Sequence, residues 1–63
     1  MRERQNRARE RVNKICKEQG ITKTFIAKQI GLTSVRSLYQ WQSGLYDFSI
    51  SRLMILEELL NKY

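Results

Sequence analysis

Apolar residues recur along this chain at spacings of three and four, punctuated by three glycines. Ala8, Val12, Ile15 and Cys16 make one stripe while Arg, Lys and Glu fill the other faces. That pattern predicts an amphipathic helix from near residue 4 to residue 19. Gly20 follows at the place of a left-handed C-terminal cap. Thr22 reads as the N-cap of a second helix, Lys23 to Ile30, with Ile21 as its apolar staple. Phe25, Ile26, Ala27 and Ile30 supply its buried side, and Gly31 ends it. The next cap falls on Thr33 or Ser34. Ser34 is preferred because it puts Leu38 at the fourth helical position, paired with Leu32 across the turn. Helix 3 then spans Val35 to Ser43, buries Leu38 and Trp41, and stops before Gly44. The segment LYDF reads as a turn with two aromatics, and Ser49 as the cap of helix 4. Ile50, Leu53, Leu56 and Leu60 form the core stripe of that helix, with Met54, Ile55 and Leu59 toward other faces. Residues 1–7, MRERQNR, have no apolar partner besides Met1 and are expected to fray.

Composition narrows the class. Sixty-three residues allow one small domain, 1–63. At 41% hydrophobic, without Pro and with few Gly, the chain is expected to be an all-α bundle with short connections. One cysteine excludes an intramolecular disulfide, and the absence of His leaves neither a Cys/His metal site nor His-based acid–base chemistry. With no nucleophile–base or metal constellation, enzyme activity is not expected, and no cofactor or small-molecule ligand is implied. Cys16 reads as a small hydrophobe. The basic start precedes no apolar run, and no stretch reaches a membrane span, so a soluble, cytoplasmic chain is expected.

Charge changes the picture most. Twelve Lys and Arg against six acids give +6, and all of it lies in residues 1–30, with nine basic and three acidic side chains. A basic half joined to a neutral half suggests a polyanionic partner, nucleic acid ahead of membrane. The alternative is a solvated face that keeps a small protein soluble.

The middle of the chain carries the constellation. Ala27 is small where two short helices cross, Gly31 lies four residues later at the turn, and Leu38 anchors the next helix. That is a helix-turn-helix layout, whose second helix presents its N-terminal residues to a major groove. Around it stand G-I-T-K at 20–23, I-A-K-Q-I-G at 26–31, L-Y-Q-W-Q-S-G at 38–44 and S-I-S-R-L at 49–53. In order and spacing these resemble the Cro and phage-repressor type of protein, the large XRE-like group, over about Val12 to Leu60. The resemblance implies a compact four-helix domain of lambda-repressor-like type. It implies a small transcriptional repressor or regulator, of phage or mobile-element kind, that binds double-stranded DNA. Two departures stand out. One extra residue lies between Gly31 and Leu38, which starts the recognition helix one place later. Cys16 and Gln42 occupy positions where the family often has an Arg–Glu ion pair, which suggests a different contact between helices 1 and 3.

With Ser34 as cap, the groove-facing positions are Val35, Arg36, Ser37 and Gln40. Arg36 can pair bidentately with guanine, Gln40 with adenine, and Val35 can meet a thymine methyl. Phosphate contacts are expected from Thr22, Lys23 and Thr24 at the start of helix 2, with Lys28, Tyr39, Ser43 and Tyr46 as further candidates. Arg2, Arg4, Arg7 and Arg9 are expected to form a basic arm along the backbone or in the minor groove, or merely to solvate the chain. A unit this small reads few base pairs, so a homodimer on two half-sites is expected. Met54, Ile55 and Leu59 are its candidate contact, or else a wider buried face within one chain. The rival reading is a module of the same layout that binds a protein, such as a phage-encoded inhibitor or an accessory assembly factor.

Overall fold

The computed structural model describes residues 2–63; Met1 lies outside them. Four helices follow in order: α1 (Arg2–Gln19), α2 (Lys23–Gln29), α3 (Val35–Gln42) and α4 (Ile50–Leu60), with no strand among the described residues. Helix α1 packs along α4, and α2 against α3. Their common interior holds Ala8 and Val12 of α1, Ile26, Ala27 and Ile30 at α2, Leu38 and Trp41 of α3, and Leu53, Leu56 and Leu60 of α4.

The helix boundaries have local causes. Thr22 Oγ1 accepts from Phe25 N at 3.1 Å, Ser34 Oγ from Arg36 N at 3.1 Å and Ser49 Oγ from Arg52 N at 3.3 Å. Each satisfies an amide that has no partner within its helix. Ser34 therefore caps α3, as its register with Leu38 predicts. After α2, Leu32 N donates to Ala27 O and Gly31 N to Lys28 O. After α3, Leu45 N donates to Gln40 O and Gly44 N to Trp41 O. Both turns are Schellman closures, which need a left-handed residue just past the cap. Gly31 (φ +82°) and Gly44 (φ +86°) supply it. The caps themselves are Ile30 and Ser43, so α2 and α3 each end one residue earlier than the apolar pattern implies.

Other differences are larger. Helix α1 begins at Arg2, and residues 2–7 are its first turns and not a separate arm. Gln5 extends the stripe of Ala8 and Val12 backwards, Arg9 widens it, and both are buried. A stripe defined by apolar residues alone stops at Ala8, which is why the earlier turns read as frayed. Phe48, placed in a turn, is 5% exposed, whereas Phe25 and Ile50, expected in the core, are 41% and 42% exposed. Phe48 stacks on Trp41 with centroids 4.4 Å apart and planes 14° from parallel, so the turn aromatic closes the core that Ile50 leaves open. No helix is long and apolar enough to cross a membrane among the described residues.

Candidate functional site

Helix α3 divides cleanly. Leu38 and Trp41 have no exposed surface, while Arg36, Tyr39 and Gln40 are exposed. Arg36, Gln40 and Ser43 follow one another at i, i+4 and i+7, so they line one ridge, with Tyr39 beside it. Val35 and Ser37 are half-buried. Val35 packs partly against the core, which leaves only part of its side chain for an outside partner.

The start of α2 lies beside Tyr39. Lys23 Nζ sits 5.7 Å from the centre of the Tyr39 ring, within reach of a cation–π attraction. The structure thus brings together two residues predicted as phosphate contacts from separate helices. The hydroxyl of Thr22 accepts from Phe25 N and keeps its own proton to donate outward. Thr24 and Lys28 are exposed, Lys28 in the last turn of α2 and so at the far end from Thr22.

Two other predicted contacts are engaged inside the fold. Tyr46 donates its hydroxyl proton to Ser37 O at 2.7 Å, and Ser43 donates Oγ–H to Gln40 O at 2.8 Å. A hydroxyl has one proton, so in this arrangement each offers an external group only lone pairs. The hydroxyl proton of Thr22 is thus not taken up within the fold, whereas those of Ser43 and Tyr46 are.

The arginines expected as an arm divide as well. Arg4 grips Glu57 with two parallel bonds, Nε to Oε2 at 2.9 Å and Nη2 to Oε1 at 2.6 Å. This bidentate bond holds the Glu57 carboxyl below its ordinary range and raises the guanidinium further still. Arg9 donates to Trp41 O, Tyr46 O, Asp47 Oδ1 and Asn6 Oδ1 and lies inside the fold. Arg2 and Arg7 are exposed on α1, Arg7 standing 4.0 Å from Glu3. An arm of four arginines is thus replaced by two structural and two surface residues. The basic half of the chain meets two of the three acids of the other half, Asp47 and Glu57, within the fold.

Sequence reasoning passed over two further residues. Gln5 and Arg52 both join helices to distant backbone, and Arg52 Nη1 donates to Ile30 O at 2.7 Å, at the end of α2. The available signal was their register, since Gln5 lies three residues before Ala8 and Arg52 one before Leu53. In place of an Arg–Glu pair, Gln42 Nε2 donates to Asn13 Oδ1 at 3.4 Å, and Cys16 is half-buried beside the core. Gln42 Oε1 is buried with no hydrogen-bond partner among the described residues.

On α4, Met54 and Ile55 are about half exposed, at 53% and 48%, but Leu59 is half-buried against the core. Leu59 therefore belongs mainly to the wider internal face. Elsewhere, a shallow cleft of about 360 Å³ is lined by Gln19, Gly20, Ile21, Thr22, Phe25 and Tyr63. Comparison with known proteins finds no matching family model, no matching curated protein and no matching solved structure.

Proposed function

We propose that this chain binds double-stranded DNA sequence-specifically, as a small transcriptional repressor or regulator of the Cro and phage-repressor, XRE-like type. In this reading α2 and α3 form a helix-turn-helix in a lambda-repressor-like domain, and α3 enters the major groove. The observation that carries it is the division of α3. Leu38 and Trp41 lock one side inward, and Arg36, Tyr39 and Gln40 stand outward beside the capped start of α2. Arg36 is the candidate for guanine and Gln40 for adenine. Lys23, Thr22 and the amides of the first turn of α2 are the candidates for phosphate. Two copies are expected on paired half-sites, with Met54 and Ile55 at the contact between them.

A titration on mixed-sequence duplex at several salt concentrations tests the reading. Lys23 and Lys28 from each of two protomers amount to about four phosphate-neutralising charges, so log Kd is expected to change with log salt by a slope near 4. Absence of binding at low salt contradicts it. A second reading, a module that docks on a protein, draws support from the uncovered apolar side of α4 around Ile50, Met54 and Ile55. It predicts that duplex DNA does not bind and that Met54→Asp abolishes the partner contact.

A further inference from the structure

Trp41 is held on three sides. Its Nε1–H donates to Gln5 Oε1 at 2.8 Å, Phe48 stacks on its ring, and Arg9 Cζ lies 5.1 Å from the ring centre. The Gln5 amide has only one workable orientation. Its oxygen accepts from Trp41 Nε1 and, at 3.2 Å, from Phe48 N, while its nitrogen donates to Phe48 O at 2.9 Å. Turning it over would set donors against donors. Arg9 then ties the end of α3 to the segment after it. Nε donates to Trp41 O at 2.6 Å, and Nη2 donates to both Tyr46 O and Asp47 Oδ1 at 2.9 Å. Tyr46, held by that bond, returns to α3 through Ser37 O.

These bonds form a ring from α1 to the end of α3, through the loop, and back to the middle of α3. We propose that Gln5 and Arg9 are positioning residues for the outward face of α3. They set its roll and tilt against α2, and with them the placing of Arg36, Tyr39 and Gln40 relative to Thr22 and Lys23. A helix two turns long has little packing area to fix its rotation, so a buried Trp anchored at its edge, its face and its carbonyl decides where the outer side chains stand. Arg9, expected at the DNA backbone, acts instead from behind the helix. The effect on DNA rests on the proposed function; the effect on α3 does not.

Arg9→Lys keeps the charge and removes the fork; Asp47→Asn, at a partly exposed residue, takes the charge from one of its partners without touching the core. Backbone amide and Trp41 indole resonances read the position of α3 without DNA. The expected result in both variants is a change along 35–48 that reaches Arg36 and Gln40, larger for Arg9→Lys. Changes confined to residues 6, 9, 41, 46 and 47, which Arg9 touches directly, overturn the proposal, and Asp47→Asn decides if Arg9→Lys does not fold. On DNA, Arg9→Lys is expected to lower the preference for a selected over a scrambled duplex by about tenfold, with the salt slope unchanged. An unchanged preference overturns it. If the unaltered protein binds no duplex, the DNA reading falls and the resonances still decide the role of Arg9.

Discussion

Single residues in this molecule carry unequal burdens for their chemistry. Gln5 is polar, fully buried and bonded through both ends of its amide to Trp41 and Phe48. Gln5→Leu leaves an indole N–H and a backbone N–H and C=O without partners in a dry site. Each such group costs about 1–3 kcal/mol, and urea unfolding is expected to show a loss of at least that size. Glu57 lies nearer the surface. Its carboxyl titrates below the ordinary range because Arg4 bonds it, so the unfolded chain takes up the proton first as pH falls. The stability it contributes is complete above the ordinary carboxylate pKa and is lost as pH drops through the lowered value. Glu57→Gln is expected to flatten the acid limb of a stability–pH curve and to shift the urea midpoint slightly downward at pH 7. Equal acid limbs in the two proteins contradict this account of the pair.

The helices themselves were legible where their signals were local. Thr22, Ser34 and Ser49 cap as their side-chain chemistry predicts, and Gly31 and Gly44 take the positive φ that their closures require. Ser34→Ala is expected to cost about 0.5–2 kcal/mol in thermal unfolding and to fray the first turn of α3, where Arg36 stands. A change at Thr33 instead of Ser34 with the larger effect contradicts that register. What could not be read was tertiary. Periodicity ranks residues by hydropathy, so it set Phe25 and Ile50 inside and left Gln5 and Arg9 outside. The fold reverses these positions because Phe48 fills the space beside Trp41, and Gln5 and Arg9 satisfy the loop that carries it. The candidate surface was legible to the same degree. Arg36 and Gln40 are accessible as the register of α3 implies, but the engagement of Tyr46 and Ser43 within the fold depends on a loop path that no spacing encodes.

At the scale of the whole molecule, charge and shape take on different meanings than in the sequence. A net charge of +6 remains, yet Arg4 and Arg9 face Glu57 and Asp47 inside one chain. The lopsided charge of the two halves is therefore partly the complementarity that joins α1 to α4 and to the loop before it. The four helices fit within 27 × 23 × 19 Å, so one copy offers a single short helix to a groove. Under the proposed DNA-binding function, that scale is the physical reason for expecting two copies on two half-sites about one helical turn of DNA apart. The central claim is that the outward face of α3 reads bases, and selection from a random duplex pool tests it most directly when run with the unaltered protein, Arg36→Ala and Lys23→Ala. The account predicts an enriched sequence of two related half-sites, loss of preference at one base position per half-site for Arg36→Ala, and a uniformly weaker but unchanged preference for Lys23→Ala. No enriched sequence, or an Arg36→Ala preference identical to that of the unaltered protein, contradicts it.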